Sequence, residues 1–189
     1  MYPIQKPSRS EFVPIRHLSY HVLQWGTPSP DKTPLVMVHG WMDVAASFQF
    51  VIDALQDDHW VIAPDWRGFG LTETPHTDNF FFPDYLADLD QLLDHYVGER
   101  QINLLGHSMG GHVATMYAGI RPERIKKLIN LEGFGMPATR PAQAPSRLAK
   151  WMDELKALQR GEMDLKPYPN LEAVAQRLIK TNPRLGSDK

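Results

Sequence analysis

The chain has 189 residues, of which 20 are lysine or arginine and 22 are aspartate or glutamate, so its formal net charge is −2. This length is enough for one domain with a substantial core. The near balance of charge gives no reason to expect binding to nucleic acid or to an anionic membrane surface. The sequence contains no cysteine, which excludes disulfides, thiol catalysis and cysteine-based metal sites.

The amino-terminal residues do not have the pattern of a secretory signal. Residues 1–12 include Pro3, Pro7 and Glu11 and have no apolar core. No apolar stretch in the sequence approaches the roughly 20 residues that a membrane-spanning helix needs. We therefore expect no membrane span, and a cytoplasmic location is the default expectation.

The first third of the chain predicts strands, a turn region and one short helix. Residues 12–25 alternate between polar and apolar and predict two antiparallel strands, and residues 26–34 predict a turn. Residues 35–38 and 60–63 are apolar runs typical of strands buried on both faces. Between these runs the spacing predicts a helix with Ser47 as its cap. Its apolar face would comprise Phe48, Val51, Ile52 and Leu55.

Strand and helix patterns continue to alternate up to residue 132. Pro83 opens a helix, residues 102–105 predict a strand, residues 113–120 a helix, and residues 128–131 another strand. The apolar face of the helix that Pro83 opens would comprise Tyr85, Leu86, Leu89, Leu92, Leu93 and Tyr96. This alternation predicts an α/β fold, a parallel sheet with helices on both faces. In such sheets, ligands bind at the carboxyl ends of the strands.

The pattern changes after residue 136. Residues 136–145 contain three prolines and no periodicity, which indicates a linker. Helical spacing then predicts amphipathic helices over residues 147–159 and 171–180, the second with Asn170 as its cap.

Residues 106–110 read Gly-His-Ser-Met-Gly, with a predicted strand before them and a predicted helix after them. In that context the Gly-x-Ser-x-Gly spacing is typical of a nucleophile elbow, in which the serine occupies a strained turn. The two glycines leave room for the chain to double back. We therefore expect the Ser108 hydroxyl to be exposed, with the positive end of the helix behind it.

These motifs resemble the α/β-hydrolase superfamily over roughly residues 10–136. The matching elements are the elbow, the His-Gly-Trp turn at 39–41, the loop at 65–72 and the segment at 121–124. The resemblance implies an α/β-hydrolase fold with residues 1–136 as the amino-terminal part of the core. Residues 137–189 are similar to the start of a helical cap, so we expect the chain to end within the cap and to lack core strands seven and eight.

The resemblance also implies a chemistry. Ser108 would attack an ester or a related small acyl substrate and form an acyl-enzyme, without a metal or cofactor. The backbone N–H groups of Trp41 and Met109 would hold the oxyanion. The residues expected to line the substrate pocket are His39, Gly40 and His107.

The base that a serine nucleophile needs has no obvious candidate. The superfamily order is nucleophile, acid, histidine, and none of the eight histidines follows His112. We therefore expect this chain to be the amino-terminal portion of a longer hydrolase, with on the order of 100 further residues, and to be inactive alone. Glu132 could be the acid that orients a histidine from the missing segment, or a polar residue at a strand end. His39 could substitute as a base or could fix its turn.

Three further interpretations remain open at this stage. Asp65 and Arg67 could organise the loop after the fourth strand or could contact substrate. The chain could be a non-catalytic ligand-binding or interaction module, whose sixth strand pairs with a sheet-completing segment or chain. The same serine chemistry would also serve a carbon–carbon bond hydrolase or an acyltransferase.

Overall fold

The computed structural model describes residues 2–74, 80–135, 138–163 and 167–182. The chain divides into two compact units, of which Ile4–Gly135 is one. Every strand that the described residues form lies in this unit, as does the predicted elbow. The assignment of residues 137–189 to a cap stays a prediction.

The unit Ile4–Gly135 is built on a mostly parallel sheet, as the alternation of patterns predicts. The six strands of the described residues are β1 Arg9–Ile15, β2 Leu18–Trp25, β3 Leu35–Val38, β4 Val61–Pro64, β5 Ile102–His107 and β6 Ile125–Leu131. They lie in the order β1-β2-β4-β3-β5-β6. β1 and β2 are antiparallel to their neighbours, whereas β4, β3, β5 and β6 run parallel to one another. The α/β prediction is therefore confirmed.

The central strands are buried on both faces because helices cover both sides of the sheet. Alternate residues of a strand face opposite sides, so Val36 and Val38 of β3 pack in one core cluster and Leu35 and Met37 in the other. The first cluster includes side chains of α2 (Phe82–Val97) and α3 (Met109–Ile120). The second core cluster includes side chains of the segment that follows β3.

The helix predicted after β3 is shorter than its sequence pattern suggests. The segment forms a 3₁₀ turn, Ala45–Phe48, followed by α1, Gln49–Ala54. The prediction of Ser47 as the cap is wrong, because Ser47 lies inside the 3₁₀ turn and its hydroxyl donates to the Asp43 carboxylate. Val51 is not part of a buried face either, since it is 42% exposed.

β6 forms one edge of the sheet and is the least buried strand. It pairs with β5 on one side, and its apolar side chains Leu128, Ile129 and Leu131 are each about two-fifths exposed. The other edge of the sheet is β1.

The second unit contains α4 (Ala144–Gln159) and α5 (Leu171–Thr181). Asn170 caps α5 as predicted, since its side chain accepts from the Ala173 N–H at 2.9 Å. The larger apolar side chains of α4 are exposed, except Leu155, and Trp151 is 54% exposed. None of the helices in the described ranges is both long enough and apolar enough to cross a membrane.

Candidate active site

Ser108 occupies a sharp turn between β5 and α3. Its backbone angles are φ +51° and ψ −116°, a conformation that L side chains rarely adopt. Two glycines make the turn possible. A Cβ on Gly106 would lie 2.3 Å from the Gly110 carbonyl oxygen, and one on Gly110 would lie 2.3 Å from the Val38 carbonyl oxygen.

Backbone hydrogen bonds hold this turn from two directions. The Ser108 N–H donates to the Leu131 carbonyl at the end of β6, at 2.8 Å. The Ser108 carbonyl accepts from the His112 N–H in the first turn of α3, at 3.0 Å. The half-buried serine is therefore fixed between the edge strand and the amino terminus of a helix. The first amides of that helix, beginning with Met109, have no partner within the helix.

The loop after β3 lies directly beside the turn. A Cβ on Gly40 would lie 3.1 Å from the Ser108 Cβ and 3.1 Å from His107 Nδ1. The structure therefore brings Gly40, His107 and Ser108 together. Trp41 follows Gly40, is 63% exposed, and contacts the Phe69 ring edge to face at 5.2 Å between centroids.

His39 is fully buried, and both of its ring nitrogens are engaged. Nδ1 lies 2.8 Å from the Gly40 carbonyl oxygen, and Nε2 accepts from the Trp66 N–H at 2.9 Å. A carbonyl can only accept and an amide can only donate, so the proton is on Nδ1 and the ring is neutral. Burial lowers the pKa of His39, an effect that the hydrogen bond to Gly40 partly offsets. These bonds fix the turn and leave His39 no nitrogen for another partner.

Asp65 connects the loop after β4 to two other parts of the unit. Its Oδ1 accepts from the Ala45 N–H at 2.7 Å, and its Oδ2 accepts from the Leu71 N–H at 2.9 Å. Oδ2 also lies 2.7 Å from His21 Nδ1 on β2. Asp65 is 3% exposed. These hydrogen bonds are those of a residue that organises its loop.

Arg67, in the same loop, is bound to a buried carboxylate on α2. Its guanidinium donates to both oxygens of Asp88, and the Tyr20 hydroxyl donates to Asp88 Oδ2 at 2.5 Å. Sequence reasoning missed Asp88 and Tyr20. Asp88 lies three residues after Tyr85 and four before Leu92, on the face of α2 that the apolar spacing marks as buried. An acidic residue at such a position is the signal that could have revealed this pair.

Glu132 is next to Leu131, the residue whose carbonyl accepts from the Ser108 N–H, but its side chain forms no hydrogen bond with the described residues of the elbow. It follows Leu131, has φ +60°, and its side chain is exposed. Among the described residues, no hydrogen bond joins a histidine ring to the Glu132 carboxylate or to the Ser108 hydroxyl. Nor is any group of three described His, Asp or Glu side chains placed to hold a metal ion.

Comparison with known proteins places this geometry in a family. The chain is 28% identical over 163 residues to a "Serine hydrolase-like protein" of Danio rerio, an alignment that covers 85% of this chain and 49% of that protein. It is 35% identical over 123 residues to a "Cis-3-alkyl-4-alkyloxetan-2-one decarboxylase" of Shewanella oneidensis, covering 63% of this chain and 37% of that one. The chain thus spans about half the length, or less, of these curated relatives.

A solved structure, "Thioesterase Domain From Curacin Biosynthetic Pathway", superposes with a TM-score of 0.79 at 25% identity. The superposition covers 95% of this chain and 64% of that one. The family model for the alpha/beta hydrolase fold matches residues 33–181, well over half of the chain. With its elbow at the carboxyl edge of a mostly parallel sheet, this chain therefore belongs to the alpha/beta hydrolase family.

Proposed function

We propose that Ser108 is the nucleophile of a serine hydrolase that forms an acyl-enzyme with an ester or a related acyl substrate. The observation that carries this proposal is the backbone of Ser108, at φ +51° and ψ −116° between β5 and α3. Strained backbone conformations of this kind cluster at functional sites, since surrounding structure must maintain them against their cost. Here the residue in the strained conformation is a serine, placed between the end of β5 and the first residue of α3.

Two backbone donors are available for the developing oxyanion. Met109 contributes the first amide of α3, and Trp41 contributes the amide that follows Gly40, which lies against Ser108. When Ser108 Oγ bonds to the acyl carbon, the carbonyl oxygen gains negative charge that these N–H groups would stabilise. Loss of one such donor raises a barrier by about 2.7–4 kcal/mol in comparable sites.

The proposed nucleophile also needs a base, and none of the described histidine rings forms a hydrogen bond with the Ser108 hydroxyl. His39 uses both nitrogens structurally. The His112 ring packs against Phe82 at 5.0 Å between centroids. We propose that a histidine from another segment or chain completes the site and that Glu132 orients it. β6 ends at Leu131, which accepts a hydrogen bond from the Ser108 N–H and is followed by Glu132. We therefore expect the additional segment to pair with the exposed edge of β6.

An acyl substrate has support from two further observations. Trp41 and Met42 are large apolar side chains left more than 60% exposed in the loop beside Ser108, which suits an apolar acyl group. The likeness to a thioesterase domain and to serine hydrolase-like proteins points in the same direction. Carbon–carbon bond hydrolysis and acyl transfer use the same nucleophile, and substrate assays distinguish them.

A fluorophosphonate probe tests the nucleophile. The 189-residue chain would be treated with the probe, with and without added imidazole as an external base, and the labelled peptide identified by mass spectrometry. We expect modification at Ser108 that imidazole accelerates, and none at that position in Ser108→Ala. Ser47→Ala removes an exposed serine in the same unit and should leave labelling unchanged.

A folded chain that is not labelled at Ser108 under either condition contradicts the proposal. That result would favour the non-catalytic binding module instead. If Ser108 is labelled as fast without imidazole as with it, only the proposal that the base comes from another segment or chain is contradicted.

A further inference from the structure

A second serine, remote in sequence from the elbow, is part of a three-residue hydrogen-bond chain. Ser10 Oγ on β1 lies 2.8 Å from His21 Nε2 on β2. His21 Nδ1 lies 2.7 Å from Asp65 Oδ2 in the loop after β4. Hydroxyl, imidazole and carboxylate are thus connected in the order serine, Nε2, Nδ1, carboxylate.

The surroundings of Asp65 determine where the protons lie. Both carboxylate oxygens accept backbone N–H groups, from Ala45 and Leu71, so Asp65 acts as an acceptor toward His21 as well. The His21 Nδ1 therefore carries a proton, and in the neutral ring Nε2 has the free lone pair. In this tautomer the Ser10 hydroxyl donates to Nε2. This is the protonation pattern that a general base needs before it removes a proton from serine.

The serine is accessible, whereas its partners are not. Ser10 is exposed on β1, which is an edge strand, while His21 and Asp65 are only 5% and 3% exposed. A reagent can therefore reach Ser10 Oγ from solvent while the imidazole stays fixed beneath it. Phe12 lies opposite His21 in the strand register, with their ring centroids 5.2 Å apart. Its ring is 57% exposed and provides an apolar surface on the same face of β1 as Ser10.

We propose that Ser10, His21 and Asp65 form a second nucleophilic site, independent of Ser108, which accepts an acyl group from activated esters. Serine triads are recognised by the geometry and roles of their members, not by their positions in the sequence. In the proposed step, Ser10 Oγ bonds to the ester carbonyl carbon and His21 Nε2 takes the hydroxyl proton. The bond from that carbon to the leaving oxygen then breaks, and the proton passes from His21 to the leaving group. The products are O-acyl Ser10 and the free alcohol or phenol.

The test uses p-nitrophenyl acetate on the Ser108→Ala variant, so that acylation at the elbow cannot contribute. The acetylated peptides would be quantified over time by mass spectrometry. Ser19 provides an internal reference, since it is an exposed serine on the adjacent strand β2. We expect Ser10 to be acetylated about 100-fold faster than Ser19, the lower end of the 10²–10⁴ that a positioned general base contributes.

Two controls separate catalysis from reactivity of the bare hydroxyl. In a denaturing concentration of urea, Ser10 and Ser19 should react at similar rates, because the hydrogen-bond chain is lost. In the double variant Ser108→Ala, Ser10→Ala, the fast acetylation should disappear, and in Ser108→Ala, Ser19→Ala it should persist. Ser10 is exposed, so its replacement should leave the fold intact.

Equal acetylation of Ser10 and Ser19 in the folded protein overturns the proposal and leaves the hydrogen-bond chain with a structural role only. A preference for Ser10 that survives in urea overturns it as well, since the folded geometry would then not be its cause. Neither result bears on Ser108, whose role is tested separately.

Discussion

Arg67 binds Asp88 through two hydrogen bonds, from Nε to Oδ2 at 2.6 Å and from Nη2 to Oδ1 at 2.7 Å. Asp88 is completely buried, and Arg67 is 4% exposed. Burial alone would lower the pKa of Arg67, but the hydrogen bonds and the charge of Asp88 more than offset it, so the pKa of Arg67 is raised and its guanidinium stays charged. The pair ties the loop after β4 to α2.

Replacing Arg67 with methionine should destabilise the fold strongly. The substitution keeps most of the apolar stem but leaves the Asp88 carboxylate buried without its main partner. Breaking a buried pair in this way costs about 3–5 kcal/mol. Urea denaturation of wild type and Arg67→Met would measure the change in the free energy of unfolding.

Arg121→Ala is the matched control, because Arg121 is half-exposed and its nearest carboxylate oxygen, on Asp90, is 3.8 Å away. Its loss should change stability by no more than about 0.5 kcal/mol. The double variant Arg67→Met, Asp88→Asn should recover part of the loss, since it removes the buried charge that Arg67 no longer compensates, although Arg16 Nη1 lies 3.2 Å from Asp88 Oδ1. Equal effects of Arg67→Met and Arg121→Ala would show that the buried pair does not stabilise the fold.

Stability should fall as the pH drops below 6.5 because of His39. The unfolded chain has an ordinary histidine pKa of 6.5, whereas burial lowers the pKa of His39 in the folded state. Below pH 6.5 the unfolded state takes up a proton that the folded state does not. The free energy of unfolding therefore decreases, by up to about 1.4 kcal/mol per pH unit from this group. The contribution is fully present above the unfolded pKa and is lost on acidification.

NMR titration of the His39 ring measures this pKa directly, and urea denaturation between neutral and mildly acidic pH measures the stability. His39→Gln should flatten the pH dependence in this range. A His39 ring that titrates at or above pH 6.5 in the folded protein would contradict the buried, neutral assignment.

Ser108→Gly should be more stable than Ser108→Ala by about 1 kcal/mol. Alanine retains the strain of φ +51°, which is of order 1–3 kcal/mol for a non-glycine residue, while glycine adopts this conformation freely at an entropic cost of about 0.5–1 kcal/mol. Thermal or urea denaturation would compare the two variants. The same pair of substitutions at Ser47, which has no positive φ, should show the opposite order. If Ser108→Ala is more stable than Ser108→Gly, as expected for the corresponding variants of Ser47, the elbow is not strained in solution.

Gly40→Ala should slow labelling of Ser108 without unfolding the chain. The new Cβ would lie 3.1 Å from the Ser108 Cβ and from His107 Nδ1, so these side chains must shift by a few tenths of an ångström. We expect fluorophosphonate labelling to be about tenfold slower, because displacements well under 1 Å already reduce reactivity.

Gly110→Ala is the contrasting variant, since its Cβ would lie 2.3 Å from the Val38 carbonyl oxygen, which is backbone. It should lose about 3 kcal/mol of stability or more. Circular dichroism would establish that Gly40→Ala is folded before the labelling rates are compared. Unchanged labelling of folded Gly40→Ala would show that this loop does not position the nucleophile.

Local patterns in the sequence predicted most of the sheet but not where its elements pack. The apolar runs of β3 and β4 and the apolar face of α2 can be recognised in the sequence. Burial imposes a characteristic spacing of apolar residues, and that spacing lies within each single element. The pattern failed at α1, where the chain uses a 3₁₀ turn and Asp43 binds Ser47. That hydrogen bond competes with the capping role that Ser47 would otherwise have.

The candidate site was predictable as far as its motif extends. A Cβ on Gly106 or Gly110 would clash with backbone atoms, and the turn at Ser108 depends on both glycines, so the spacing itself is informative. The bonds of Ser10 to His21 and of Asp88 to Arg67 join residues whose contacts depend on the folded topology. No local spacing encodes such partners, although a charged residue on an apolar helix face indicates that one exists.

The bond from the Ser108 amide to the Leu131 carbonyl makes the nucleophile depend on an edge strand. Hydrogen exchange at the Ser108 amide therefore reports how often β6 detaches from β5, because opening of that strand exposes this amide to solvent. Any polypeptide that pairs with the outer side of β6 would suppress those openings. It would thereby slow exchange at Ser108 without touching the serine side chain.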